Sequence, residues 1–361
     1  MREYQSKRLL KKCIVVALCL GLQGPLPALG HSKQTPPPVE VPELELPGGR
    51  KLLYERSFAS EEEVRVKRSF WIKLVDMVAG ARESHNLVRP YSVATDSRGR
   101  IIVTDPGIPA IHIFDFAKQK YKFIHRDGKN AFQAPQCVAV DAQDNFYVTD
   151  SEAGKIFVFD AEGNFRRAIG SLKKGEGFFK RPTGIAVDSQ SQRIYVSDTW
   201  RQQIFVLDMQ GSVLHVIGKN GVAPGEFNFP TELKLVEHDL YVVDAMNFRI
   251  QRFDTAGEAY VLVGSPDGAD LDLFRPKGIG IDSEHNLYVV DGLDDLVRVF
   301  NPAGHLLYSF GGSGSQAGEF QLPAGLFISG DDHIHVVDSY NRRVQVFHYV
   351  SSGLRTGKLK P

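Results

Sequence analysis

Four stretches of this 361-residue chain carry the residue types with which proteins grip one another: "TWRQQ" (Trp200, Arg201), "AMNFR" (Asn247, Phe248, Arg249), "GLDDLVR" (Asp294, Asp295) and "SYNRR" (Tyr340, Asn341, Arg342). Aromatic and Arg side chains remove much area from water at a low entropic cost, which is why they dominate binding hot spots. Three further arginines, Arg89, Arg181 and Arg275, each stand directly before a proline. Patterns for covalent or metal chemistry are missing from the sequence. There is no HExxH, GxSxG or phosphate-binding loop. The histidines are mismatched in position: His85 precedes the repeated region described below, His112 falls in a third strand, His125 and His215 in fourth strands, and His238, His285 and His333 in turns. A three-histidine zinc centre is therefore not visible. Cys137, in "CVAVD", reads as a small buried hydrophobe rather than a nucleophile.

What positions these loops is a repeat. "RPYSVATD", "APQCVAVD", "RPTGIAVD", "FPTELKLV", "RPKGIGID" and "LPAGLFIS" begin at 89, 134, 181, 229, 275 and 322. Each is followed by a second apolar run ending near Asp105, Asp150, Asp198, Asp244, Asp291 or Asp338, then by a third run such as "IFVFD" and a looser fourth. Short strands with Gly and Asp turns at a fixed period of this length spell four-stranded propeller blades. Six copies predict an all-β, six-bladed β-propeller of antiparallel blades. Because strand one starts after the proline and strand two ends at the Asp, the proline turns and the post-Asp loops must share one face. That face, with Arg89, Arg181 and Arg275 beside the four loops above, is the expected binding surface. The alternative is that the loop arginines hold neighbouring blades together through the recurrent Asp. Asp96, Asp141, Asp188 and Asp282, at strand ends, read as architectural.

The unit P-x-G-[IV]-A-[VI]-D … [LI]-Y-V-[VST]-D, with Asn247-Phe248-Arg249-Ile250-Gln251 and Asn341-Arg342-Arg343-Val344-Gln345 after it, resembles the NHL repeat over residues 89 to 347. The resemblance implies a six-bladed propeller and leaves activity open. Its range includes domains that bind RNA or protein, lyases of peptide amidation and exported bacterial propellers. No cofactor is called for by a motif; a channel metal such as calcium or zinc belongs only to the enzyme alternative, a metal-dependent amidating lyase or lactone hydrolase.

The ends carry the remaining signals. Residues 1–30 have a basic run, an apolar core from Ile14 to Leu22, and Ala28 and Gly30 before His31, the pattern of a signal peptide. The apolar run is shorter than the ~20 residues of a spanning helix. Export, to the periplasm, is expected. Without that segment the chain has 38 basic and 42 acidic residues, which argues against nucleic acid. Residues 31–49 read as a proline-rich tether. Residues 50–58 resemble the fourth-strand segment "AGHLLYSFGG" and are expected to close the last blade, since 351–361 is a tail without a strand pattern. Residues 60–79 are expected to form one short accessory helical segment ahead of the propeller at 80–350, with the apolar arc of 69–79 packing on the rim, meeting a partner or touching a membrane surface. Together these signals suggest a noncatalytic binding or scaffold propeller with an envelope or secreted protein as partner.

Overall fold

The computed structural model describes residues 43–46, 49–64, 84–170, 177–254, 259–264 and 273–351. Residues 1–30, read above as a signal peptide, most of the expected tether, the stretch 69–79 and the residues after 351 lie outside the described residues.

Two strands precede the blades: β1 (Glu43–Leu46) and β2 (Arg50–Phe58). Blade 1 comprises β3 (Ser92–Thr95), β4 (Ile101–Asp105), β5 (Ala110–Asp115) and β6 (Lys120–Ile124). Blade 2 follows with β7 (Pro135–Val140), β8 (Phe146–Asp150), β9 (Lys155–Phe159) and β10 (Phe165–Ile169). Blade 3 is β11 (Pro182–Asp188), β12 (Arg193–Asp198), β13 (Gln203–Asp208) and β14 (Val213–Ile217), and blade 4 is β15 (Pro230–Val236), β16 (Asp239–Asp244), β17 (Arg249–Phe253) and β18 (Ala259–Val263). Blade 5 is β19 (Pro276–Ile281), β20 (Leu287–Asp291), β21 (Leu296–Phe300) and β22 (Leu306–Gly311). Blade 6 contributes β23 (Leu326–Ile328), β24 (His333–Asp338) and β25 (Arg343–Val350). Blades 1 to 5 are four-stranded antiparallel sheets.

The sixth sheet runs β1-β2-β25-β24-β23, so the ring is closed from the N-terminal side. The strand β2 lies antiparallel to β25, from Lys51 opposite Val350 to Phe58 opposite Val344. Its Phe58 is buried against Phe114 and Phe116 of blade 1, with ring centroids 4.8 and 5.2 Å away. One strand thus joins blade 6 by hydrogen bonds and blade 1 by packing, which ties the last blade to the first. The last blade differs from the four-stranded expectation. Glu43–Leu46, assigned above to the tether, forms a fifth strand, because the alternation Glu-Leu-Glu-Leu offers Leu46 to the core while the glutamates face solvent.

Second strands are buried on both faces, as in β4, β8 and β20, because each blade is sandwiched between two others. That is why they read as continuous apolar runs. The Gly of the P-x-G motif permits the inner strands to converge. A Cβ on Gly184 would lie 2.0 Å from the Thr231 carbonyl oxygen of blade 4, and one on Gly278 would lie 2.5 Å from the Leu326 amide of blade 6.

The expected helical segment is, among described residues, one 3-10 turn at Glu61–Glu63. Glu63 accepts the Ala59 amide at 2.7 Å, and Glu61 meets His85 Nδ1 at 3.2 Å. No helix of the described residues is long and apolar enough to cross a membrane.

Candidate functional site

The recurrent Asp explains how the proline face is held. Asp105 accepts the amides of Val88 at 2.6 Å and Arg89 at 2.9 Å, which lie ahead of the proline, and that of Gly107 at 2.9 Å in the following turn. Asp150 takes Gln133, Ala134 and Ala153, Asp198 takes Lys180 and Arg181, and Asp291 takes Phe274 and Arg275. Each carboxylate ties the start of strand one to the end of strand two, so the proline turns and post-Asp loops share a face. Burial pushes the Asp105 and Asp244 carboxyls upward against these donors.

Blades 4 and 6 add a lock built from the Asn-x-Arg-x-Gln pattern. Asp244 receives Asn247 Nδ2 at 2.8 Å, Arg249 Nε at 2.8 Å and Gln251 Nε2 at 3.1 Å. The Arg249 guanidinium continues to the carbonyls of Val222, Ala223 and Glu226. Asn341, Arg343 and Gln345 repeat the arrangement on Asp338 and on the carbonyls of Gly314, Gln316 and Glu319. The lock arginine is structural, but it binds the Asp of its own blade and the carbonyls of the loop leading into that blade, and does not join neighbouring blades through the Asp.

The thirteen residues assigned to the binding face therefore divide. Arg89, Trp200, Phe248, Arg275, Tyr340 and Arg342 are exposed there. Arg181 is half-buried, its guanidinium 5.5 Å from the Trp200 ring centroid. Arg201 lies over Phe178 and Phe205 beside Asp198, and Asp294 pairs with Arg298. Asn247, Arg249 and Asp295 are interior and unavailable to a partner: Asn247 and Arg249 form the lock, and Asp295 accepts Ser313 Oγ at 2.6 Å and the Leu322 amide at 2.7 Å. Asn341 is half-buried in the second copy of the lock.

Two features of this face went unread in the sequence. The residues directly before the six prolines are Arg89, Ala134, Arg181, Phe229, Arg275 and Leu322, so cationic and apolar side chains alternate around the rim. Phe229 and Leu322 hold φ of 58° and 46°, a backbone region costly for bulky side chains. The post-Asp loops of blades 3 to 6 also carry exposed apolar side chains: Leu293 is 60 % exposed, Tyr340 61 %, Trp200 58 % and Met246 51 %.

Inside the rim lies a narrow channel cavity of about 110 Å³, walled by apolar residues such as Val138, Ile185, Leu235 and Ile279, with Glu232 and Lys234 projecting into it. These two are alternate residues of β15 and so share its channel face. Cys137 Sγ, fully buried, donates to Glu232 Oε2 at 3.1 Å. Burial pushes Glu232 up to about 7, the Lys234 ammonium down to about 8, and the Cys137 thiol well above its ordinary range. Lys277, at the mouth, is pushed down to about 8 by burial and then by Arg275 and Arg89. Among the described residues the channel holds no group of three side chains suited to a metal; the one such group is on the closing blade.

The model of a family described as 6-bladed beta-propeller matches residues 126–198 and 189–263, across blades 2 to 4. No curated protein matches the chain in sequence. Among solved structures, a streptogramin B lyase is similar at 15% identity and a TM-score of 0.55, covering 73% of this chain and 94% of its own. Virginiamycin B lyase from Staphylococcus aureus is similar at 13% identity and 0.55, covering 83% and 100%. An auxiliary nutrient binding protein from Bacteroides thetaiotaomicron is similar at 14% identity and 0.58, covering 74% and 70%. At such identities the likeness concerns the fold alone, and with the sheets described above it makes this chain a six-bladed β-propeller.

Proposed function

We propose that this chain is an NHL-type propeller exported to the cell envelope, where it acts as a noncatalytic binding or scaffold module for a protein partner. The observation that carries the reading is the set of exposed apolar side chains on the post-Asp loops of blades 3 to 6, Trp200, Met246, Leu293 and Tyr340, beside a rim that alternates arginine with apolar side chains. Large exposed apolar patches rimmed by polar groups mark interaction sites. The partner that fits presents apolar side chains with carboxylates between them, matched to Arg89, Arg275 and Arg342. The basic and apolar pattern of residues 1–30 supports export. Affinity-tagged protein purified from its native cells should retain a stoichiometric partner, and Trp200→Ala with Tyr340→Ala should cut its recovery more than about tenfold. Equal recovery by the variant would refute the assignment of this face.

A second reading, a lyase or lactone hydrolase working in the channel, is favoured by Glu232 titrating near neutrality beside Lys234. It requires that quinupristin, which is present with a virginiamycin B lyase in a solved structure, or a lactone, is turned over and that Glu232→Gln abolishes turnover. No turnover across that panel leaves the binding reading standing.

A further inference from the structure

Ring closure creates a side-chain cluster away from the proline face and the channel. Glu55 of β2, His333 of β24 and His348 of β25 place one ligand atom each within 4.8 Å of one another. His333 and His348 are direct cross-strand neighbours with parallel rings, centroids 4.4 Å apart. Glu55 Oε1 lies 3.2 Å from His333 Nε2 and 3.8 Å from His348 Nδ1. Four ligands about 2.0–2.1 Å from a tetrahedral metal are separated by roughly 3.4 Å, close to these spacings. The β2–β25 register slips between Tyr54 and Arg56, so Glu55 is the extra residue of a bulge, a device that re-aims a side chain.

The surroundings also suit a ligand. Asp331 Oδ2 sits 3.1 Å from His333 Nδ1, and the other carboxylate oxygen, Oδ1, accepts the Ser329 hydroxyl at 2.5 Å. A carboxylate on one imidazole nitrogen turns the other toward a metal. The cluster borders a groove of about 590 Å³ between blades 6 and 1, which gives solvent access to a fourth coordination position. The same groove is lined by His335, buried to 5 % exposure with its Nδ1 unpartnered.

We propose that Glu55, His333 and His348 form a binding site for a divalent transition metal of the zinc type, oriented by Asp331, that fastens the closing strand to blade 6. Two imidazoles and one carboxylate with an open position are a zinc donor set. Because Glu55 comes from β2 while both histidines belong to blade 6, the opened ring keeps only two of the three ligands, so the metal binds the closed ring more tightly and stabilises closure.

The test is calorimetric titration of the tag-free full-length chain, stripped of metal, with Zn2+, followed by thermal unfolding with and without the ion. The expected result is one Zn2+ per chain with a Kd of micromolar order or tighter. At a hundredfold excess over Kd the folded-to-unfolded ratio should rise about a hundredfold. Glu55→Gln, a near-isosteric change at an exposed position, and His348→Ala should each weaken binding at least about tenfold, and Asp331→Asn by a similar factor. Co2+ in place of Zn2+ should give the visible absorption of a tetrahedral site, lost in His348→Ala. Absence of one-to-one binding below about 100 μM, or its survival in the His333→Ala, His348→Ala double variant, would overturn the site. Binding without thermal stabilisation would overturn the closure role.

Discussion

Phe58→Ala isolates the closing strand's grip on blade 1 while leaving its hydrogen bonds to blade 6 in place. Phe58 is 1 % exposed, and its ring meets Phe114 at 4.8 Å and Phe116 at 5.2 Å. Removing a buried phenyl forfeits about 1.5–3 kcal/mol of transfer free energy, and the unfilled cavity brings the total to about 3–5 kcal/mol. The site has little means of collapse, since Val93, Ile101 and Val337 around it belong to three different strands fixed by their own ladders. Urea denaturation should therefore show a loss of about 3–5 kcal/mol. Amide exchange along Lys51–Phe58 should quicken more than in β16 of blade 4, on the far side of the ring. A loss under about 1 kcal/mol, or exchange accelerated equally in every blade, would refute closure by packing across the blade 6 to blade 1 seam.

Gly184→Ala should destabilise severely in thermal melts, because a Cβ 2.0 Å from the Thr231 carbonyl oxygen meets backbone that cannot step aside; a melting point within a degree of the parent would refute the close approach of blades 3 and 4. Arg249→Ala leaves Asp244 buried without its main cation and should cost about 3–5 kcal/mol in denaturant titration, whereas Arg342→Ala, on the exposed face, should cost under about 0.5 kcal/mol. For pH, the fold raises Glu232 from 4.5 to about 7 and so favours its protonated form. The stability this contributes is full below pH 4.5 and is lost as pH rises through 7. Glu232→Gln should flatten that decline; an unchanged pH profile would mean the carboxyl titrates normally.

Periodicity made the ring legible. The proline spacing sets six blades, and the likeness of Leu52-Leu53-Tyr54 to Leu306-Leu307-Tyr308 points to Arg50–Phe58 as the strand lying on β25. Glu43–Leu46 was less legible, because four alternating residues beside prolines resemble a tether until a neighbouring edge is available to pair with. The binding face was partly legible. The Asn-x-Arg-x-Gln pattern aligns Arg249 with Arg343, and strand register gives that position its role: Arg249 opens β17 opposite Asp244, while Arg342, one residue before Arg343, stays in the turn before β25. Glu55 and His348 had no local signal at all, since only ring closure brings the two ends of the propeller together, and the bulge at Glu55 cannot be read from its neighbours. The rim alternation was present in the sequence at 89, 134, 181, 229, 275 and 322, but its meaning needs the residues to be seen as a circle.

The central claim is that the proline face carries the partner. Photo-cross-linking side chains placed at Trp200, Leu293 and Tyr340, and separately at His238 and Gln190 in the turns of the opposite face, test it directly in native cells. A discrete adduct from the first three positions and none from the other two is the predicted result. Adducts from both faces alike, or from His238 and Gln190 alone, would contradict it.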